Sequence, residues 1–291
     1  MKLFNLVIGC VLAVAAASAH AQSFEEILRG FAGEVVRGAL QGAPAQPAVP
    51  MEPSAGGSMG SISADQALTI VHELYQPSPG FSIYESPFEG YWMHGSASQD
   101  ILPILVSKDG RFVANLGISV TERLQRGRTR KLSANESQEF FRNVLLALKP
   151  DAAIDLNPAA HSSAIILTAP NCPACVQLDL MARTVGNPSA RLVPSSLTGN
   201  SGEVYSRIMC GASPRQAFER AIDSRARVLP PAVVGCDERL NQLAIEELLW
   251  RLQPGGTRRA YPSLFTADGQ KRPLKFDSPT VLRQSLAQAG K

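Results

Sequence analysis

Residues 164–175 read AIILTAPNCPAC, and this stretch decides the fold of the chain. Its first five residues are apolar or β-branched and predict a buried strand. After the second cysteine, the spacing of Val176, Leu180 and Met181 predicts a helix with these three side chains facing inward. The stretch is therefore a strand that turns into a helix, and Cys172 lies at the turn.

This position gives Cys172 a chemical role. The unpaired N–H groups and the positive end of the helix dipole stabilise an anion at a helix N-terminus, and the thiolate is the form of cysteine that attacks disulfides. Pro173 suits the first helical position, where an N–H would have no partner. Cys175 lies one turn further on and is expected to be more buried. We expect Cys172 to be the nucleophile and Cys175 to resolve the mixed disulfide.

An inert disulfide and a zinc site are the two other interpretations of the cysteine pair. An inert disulfide across so short a loop would constrain the unfolded chain little, so it would add little stability. A zinc site needs four ligands, usually in two close pairs. His72, His94 and His161 are scattered along the chain, and each is expected to be a surface or structural histidine. No metal site is predicted.

The N-terminus indicates export. Lys2 precedes an apolar run that ends at Ala19-His20-Ala21, the small-x-small pattern read by a signal peptidase. Residues 1–21 are predicted to be a cleaved signal peptide, with a retained membrane anchor as the alternative. Cleavage leaves four of the five cysteines, and an even number in an exported protein suggests that disulfides form. The net charge of +3 is too weak to indicate a nucleic-acid partner.

Apolar spacing and composition divide the remaining chain into an α+β arrangement. The predicted segments are an amphipathic helix (22–41), a Pro/Gly/Ala/Ser-rich flexible linker (42–63), a small helix-plus-antiparallel-sheet domain (64–131), a linker helix (132–150) and a C-terminal domain (151–291). Asp109-Gly110 predicts a two-residue hairpin. Ser133 and Glu136 form a capping box that opens the linker helix.

One local concentration of positive charge stands out. It consists of Arg123, Arg126, Arg128, Arg130 and Lys131. A solvated turn is the expected meaning of this cluster.

The C-terminal half resembles the periplasmic disulfide isomerases of the DsbC and DsbG type. The resemblance is carried by the strand–NCPAC–helix unit, by residues 203–219 followed by Cys236-Asp237, and by 261-YPSLF-265 followed by Asp268-Gly269. It extends more weakly to residues 104–117 and 133–148. It implies a cystatin-like N-terminal dimerisation domain and a C-terminal thioredoxin-fold domain with a helical insertion.

The resemblance also implies roles for particular residues. Cys210 and Cys236 would form a structural disulfide in the insertion. Pro262 would be a cis-proline facing the redox centre, and the backbone of Tyr261 would bind an extended client segment by strand addition. The implied protein is a periplasmic V-shaped homodimer without a cofactor. It would act on exported client proteins with disulfides and would be kept reduced by a membrane-bound thiol reductase of the DsbD type.

The sequence departs from the family pattern in three places. Tyr261 is bulkier than the Thr or Val that commonly precedes the cis-proline, and Pro-Ala between the cysteines is less usual for an isomerase. Residues 22–63 have no counterpart, which suggests a specialised client. Because the dipeptide tunes redox poise, isomerase, reductase and oxidase directions stay open. A periplasmic chaperone or assembly factor of a secretion or conjugation apparatus, with a secondary redox role, is the alternative.

Overall fold

The computed structural model describes residues 61–289 except 77–78, 97–100, 118, 125–126, 158–163, 187 and 254–258. The predicted signal peptide, the amphipathic helix and nearly all of the predicted linker lie outside the described residues. Residues 58–291 belong to one compact unit.

Within the described residues the unit combines seven α-helices with two β-sheets, which confirms a mixed α+β chain. The helices are α1 (Ala64–Leu74), α2 (Ala134–Leu146), α3 (Pro173–Thr184), α4 (Ser201–Met209), α5 (Pro214–Asp223), α6 (Arg239–Arg251) and α7 (Pro279–Ala289). The strands are β1 (Ser82–Glu85), β2 (Tyr91–Gly95), β3 (Ile104–Ser107), β4 (Phe112–Asn115), β5 (Ser119–Arg123), β6 (Thr129–Lys131), β7 (Ile154–Asp155), β8 (Ala164–Thr168), β9 (Arg191–Pro194), β10 (Ser263–Thr266) and β11 (Lys271–Arg272).

The first sheet is an antiparallel meander in which β1 to β6 pair in sequence order. Helix α1 packs on one face of it through Ala67, Ile70 and Val71. Its Ser63 cap accepts a hydrogen bond from the Gln66 N–H, as the Ser133 cap of α2 does from Glu136. The predicted capping box of α2 is confirmed.

The second sheet has the order β11-β10-β8-β9-β7, with β8 parallel to β9 and antiparallel to β10. Strand β8 is buried along its whole length, as its unbroken apolar sequence predicts. Its alternate side chains enter two different cores. Ile166 packs with α3, α4, α5 and α7, whereas Ile165 and Leu167 pack with α2 and α6.

The second of these cores also contains side chains of the first sheet. Met93, Leu105 and Val120 lie in the same buried cluster as Leu248 of α6 and Phe265 of β10. The N-terminal end of α6 contacts β2, since a Cβ on Gly95 would lie 3.2 Å from Leu240. At its C-terminal end, Arg251 donates a hydrogen bond to the backbone carbonyl of Leu116, in the turn after β4. The two sheets are therefore joined by shared apolar packing.

Two details of the sequence prediction are wrong. Leu180 is 54% exposed rather than inward. The buried face of α3 is formed by Cys175, Leu178, Asp179 and Ala182, whose spacing repeats every three to four residues, and Leu180 falls between them. The hairpin at Asp109-Gly110 also has four residues between β3 and β4 (108–111) rather than two.

The basic cluster lies on a hairpin, where Arg128, Arg130 and Lys131 are exposed as predicted but some of the arginines also form ion pairs. Arg123, Arg130 and Lys131 lie in β5 and β6, which pair with each other. Glu122 is buried and accepts hydrogen bonds from Arg111 and Arg130. Ion pairs thus neutralise part of the positive charge of this cluster. Arg126 lies outside the described residues.

In the part of the chain that the structure describes, none of the helices has the length and apolar character needed to cross a membrane.

Candidate functional site

Cys172 is the N-cap residue of α3, with its backbone in an extended conformation and Pro173 at the first helical position. Its sulfur accepts a hydrogen bond from the backbone N–H of Cys175 at 3.3 Å. Cysteine has thus taken the place that a Ser or Asp oxygen fills in an ordinary N-cap. A hydrogen bond from the N–H, added to the helix dipole, favours a negative charge on this sulfur.

Cys175 lies beneath this turn and is fully buried, whereas Cys172 retains 4% of its surface exposed. Both are free thiols in this structure. Burial raises the pKa of the Cys175 thiol to about 12, and the neighbouring sulfur of Cys172 adds to the effect. The backbone N–H of Ala169 donates to the Cys175 sulfur at 3.4 Å. The two sulfurs thus lie in unequal surroundings, and the outer one is better placed for attack.

The segment before β10 covers the Cys172–Cys175 pair. The Tyr261–Pro262 bond is cis, and β10 begins at the next residue, Ser263, opposite Leu167 of β8. The carbonyl oxygen of Tyr261 lies 3.5 Å from the Cys172 sulfur and accepts its S–H. Within the described part of the chain, the Tyr261 backbone N–H donates to no acceptor. An extended peptide beside Cys172 could use it.

The side chain of Tyr261 points into a buried polar group. Its phenol donates a 2.7 Å hydrogen bond to Glu246 Oε1 on α6. The Ser195 hydroxyl lies 2.9 Å from the phenol oxygen, 3.0 Å from Glu246 Oε2 and 3.0 Å from the Ser201 hydroxyl, and it donates its one proton to one of the three. Gln242 donates to the same carboxylate. Ser195 is fully buried and Glu246 is 6% exposed.

Burial and the nearby Glu246 carboxylate raise the pKa of the Tyr261 phenol. The phenol therefore stays protonated and can serve as a donor to Glu246. The aromatic ring itself packs both on the cluster of Ala169, Cys172 and Cys175 and on the core shared by the two sheets. Tyr261 thus connects the cysteine pair to α6.

Beside this polar group lies an open cleft of about 450 Å³. Its charged lining comes from Glu203, Arg239, Glu246, Glu247 and Arg259. Arg259 pairs with Glu247 at 2.8 Å and lies 3.8 Å from Glu246. The cleft is therefore lined by charges of both signs.

Asn171, the residue before Cys172, fixes a neighbouring loop. Its side-chain amide donates to Ser196 at 3.2 Å and to Thr198 at 3.3 Å, and its carbonyl oxygen accepts from the Leu197 N–H at 3.1 Å. The loop after β9 is thereby attached to the turn that carries Cys172.

A small internal cavity of about 10 Å³, roughly the room of one water molecule, lies below the pair. Cys175 and Asp179 both line it. Asp179 is buried, and this burial raises the pKa of its carboxyl although Arg183 lies only 2.6 Å away. Cys175 and Asp179 thus face the same small space on the buried side of α3.

Cys210 and Cys236 lie apart from this site. They are joined by a disulfide between the end of α4 and the loop before α6. Among the described residues, the histidines do not form a metal site either. The rings of His72 and His94 approach to 6.2 Å, and His161 is not among the described residues. No cluster of three or more His, Cys, Asp or Glu side chains in the described part of the chain could hold a metal ion.

The sequence singled out four residues that the structure brings together: Cys172, Cys175, Tyr261 and Pro262. It missed Glu246, Ser195 and Gln242, which surround the Tyr261 phenol. No sequence signal could have found them, because Ser195 and Glu246 lie 66 and 15 residues from Tyr261 and belong to different elements. Asn171 was part of the motif but had been given no role.

The chain was compared with known proteins. It matches no protein-family model, and it has no significant match among curated proteins.

Proposed function

We propose that this protein is a thiol–disulfide oxidoreductase of the DsbC/DsbG type, acting as a disulfide isomerase or reductase on exported proteins in the periplasm. In this proposal residues 64–131 form a cystatin-like dimerisation domain, residues 132–150 a linker helix and residues 151–291 a thioredoxin-fold domain with a helical insertion. A membrane-bound thiol reductase supplies electrons to the homodimer.

One observation carries the proposal. The Cys172 sulfur caps a helix and accepts a hydrogen bond from the Cys175 N–H. It also lies 3.5 Å from the carbonyl oxygen of Tyr261, the residue before the cis-proline. A structural disulfide or a core cysteine needs none of these features. A nucleophile needs stabilisation of its anion and a nearby backbone group that aligns the substrate.

The reaction follows from the unequal surroundings of the two sulfurs. The Cys172 thiolate attacks one sulfur of a client disulfide, a Cys172–client bond forms, and the other client sulfur leaves as a thiolate. In isomerisation a second client thiolate then attacks the mixed disulfide and restores Cys172. In reduction Cys175 loses its proton and attacks the Cys172 sulfur, which forms the Cys172–Cys175 disulfide and releases the client thiolate. The reductase then returns two electrons and two protons.

Asp179 is the proposed proton acceptor for Cys175 in the second route, because the two residues line the same cavity. A carboxyl whose pKa is raised by burial is better matched to accepting a thiol proton than an ordinary surface carboxylate. Asp179→Asn should therefore slow release of the client in reduction and leave the first attack by Cys172 unchanged.

Refolding of scrambled ribonuclease tests the proposal. The reduced wild-type protein should restore ribonuclease activity, Cys172→Ala should not, and Cys175→Ala should retain isomerase activity while losing turnover as a reductase. If Cys172→Ala restores activity as well as the wild type does, the proposed function is wrong. A measured reduction potential then separates isomerase or reductase from oxidase.

A second candidate function, a chaperone or assembly factor of a secretion or conjugation apparatus, is favoured by one surface. In the loop before Cys236, Val233 is 43% exposed and Val234 is fully exposed. Exposed apolar side chains close together can contact unfolded clients. The double variant Cys172→Ser/Cys175→Ser should keep its effect on client aggregation if this function is the main one, and Val233→Ser/Val234→Ser should remove it.

A further inference from the structure

We infer that Glu246, together with Ser195, is a positioning residue for the redox centre: it holds the Tyr261 phenol and thereby fixes the Tyr261 backbone against which a client segment aligns beside Cys172. This inference rests on the proposed function and extends it to residues outside the motif. We call Tyr261, Glu246 and Ser195 the phenol clamp.

The distances support a fixed arrangement. The phenol of Tyr261 donates to Glu246 at 2.7 Å, and Ser195 lies within 3.0 Å of both partners. A hydrogen bond to a carboxylate is stronger than one between neutral groups, and a buried polar network that is fully satisfied is rigid. Gln242 provides a further donor to Glu246, so the carboxylate has several partners besides Tyr261.

The clamp is connected to the reacting sulfur through one residue. The Tyr261 carbonyl contacts the Cys172 sulfur at 3.5 Å, and its ring packs on the cluster that contains both cysteines. If the ring turned away, the carbonyl and the N–H of Tyr261 would lose their fixed positions. The clamp therefore acts on the alignment of a peptide, and only indirectly on the sulfur.

Burial of Glu246 favours this role over a purely electrostatic one. The residue is 6% exposed and belongs to α6, whose apolar side chains lie in the core shared by the two sheets. An ionisable side chain in such a place is kept only if it is well paired. The adjacent Glu247 pairs with Arg259, whose side chain is 54% exposed. The Glu247 side chain is only 17% exposed, much like a clamp residue, but it accepts from Arg259 and not from the Tyr261 phenol. Glu247 is therefore the matched control.

Four variants test the inference in the full chain: Tyr261→Phe, Glu246→Ala, the double variant of these two, and Glu247→Ala as control. The substrate is an extended peptide with one intramolecular disulfide, an excess of a small dithiol re-reduces the Cys172–Cys175 disulfide after each turnover, and the readouts are KM and kcat. Each clamp variant should lower kcat/KM about tenfold, the effect expected for a lost hydrogen bond to a charged group. The loss should lie mainly in KM, and the double variant should lose no more than either single variant. A fifth variant, Glu246→Gln, keeps an oxygen that can accept the hydrogen bond from the phenol and should recover most of the loss.

A small reagent separates alignment from chemistry. Iodoacetamide needs no backbone alignment, so Cys172 in Glu246→Ala should be alkylated at least as fast as in the wild type. A spectroscopic readout is independent of activity. After labelling of the five tyrosines with 3-fluorotyrosine, the ¹⁹F resonance lost in Tyr261→Phe should shift in Glu246→Ala and stay unchanged in Glu247→Ala.

The outcomes distinguish the two proposals. Additive losses, an unchanged KM with only a lower unfolding temperature, or equal losses in Glu247→Ala would overturn the clamp. An unmoved ¹⁹F resonance in Glu246→Ala would do the same. A wild-type protein that turns over no disulfide peptide, and so behaves like Cys172→Ser, would overturn the proposed function and the positioning role with it, even if the ¹⁹F resonance shifts.

Discussion

Alkylation at neutral pH should distinguish the two free thiols of the motif, although only two residues separate them. The cause is burial, which raises the pKa of Cys175 from its ordinary 9.0 to about 12. Only the thiolate reacts with iodoacetamide. We therefore expect Cys175 to react far more slowly than a cysteine in an unfolded peptide, and Cys172 to carry nearly all of the label.

The size of the effect follows from two opposing factors. Each pH unit by which the pKa exceeds the ambient pH lowers the thiolate fraction tenfold, so the rise from 9.0 to about 12 lowers the Cys175 thiolate population about a thousandfold. A more basic thiolate is a better nucleophile, with a Brønsted coefficient of about 0.4–0.5, which restores a factor of about 20–30. Cys175 should thus react at least about thirtyfold more slowly than a free cysteine. Its lack of exposed surface slows it further.

The assay is timed alkylation of the reduced motif at pH 7, under conditions that leave the Cys210–Cys236 disulfide intact, followed by peptide mapping. Cys172→Ser reports on Cys175 alone. Because burial is the first cause of its raised pKa, Cys175 should stay slow in this variant. In concentrated urea the difference between the sulfurs should vanish. Comparable labelling of both sulfurs in the folded protein would refute the reasoning.

The remaining predictions concern stability and are read from urea unfolding. Gly269→Ala should cost about 2–4 kcal/mol, because φ is +84° and the new Cβ would lie 2.5 Å from Leu252. Gly90→Ala has a similar φ of +81° with open space around it and should cost only about 1–2 kcal/mol; an equal or larger cost would contradict the steric argument. Burial lowers the pKa of His94 in the folded protein. Below the ordinary histidine pKa of 6.5, the unfolded state therefore binds more protons at this residue than the folded state does. The free energy of unfolding should fall from pH 7 to 5 by at most about 1.4 kcal/mol per pH unit. In His94→Phe this loss should be absent. Burial alone would raise the pKa of Glu122, but hydrogen bonds and charge from Arg130 and Arg111 lower it. Glu122→Gln should therefore cost about 1–3 kcal/mol at pH 7. This cost should disappear as the pH falls through the lowered pKa.

The local elements could be predicted where the sequence carries its own signal. The continuous apolar run of β8 and the Ser133 capping box of α2 gave the correct element at the correct place. Leu180 shows where this reasoning fails. One side chain in a short apolar helix can be assigned to the wrong face, because the neighbouring elements, rather than its own helix, decide which face is covered.

The site could be predicted only in part for a related reason. Cys172 and Cys175 lie in one continuous stretch, whereas the clamp around Tyr261 is assembled from three distant segments. Ser195 follows β9 and Glu246 lies within α6, and neither residue type in its local sequence indicates a role. Such contacts depend on how the elements pack, which sequence patterns do not encode residue by residue. The ion pairs of Glu122 with Arg111 and Arg130 were missed for the same reason.

The placement of α6 has a practical consequence. This helix is covered on one side by the first sheet and on another by the strands that support the cysteines. A shortened protein that began at residue 151 would therefore lose the contacts that Leu240, Leu248 and Arg251 make with the preceding residues. It would expose an apolar surface of α6 to solvent. The cysteine-bearing half expressed on its own should therefore aggregate unless that apolar surface is redesigned.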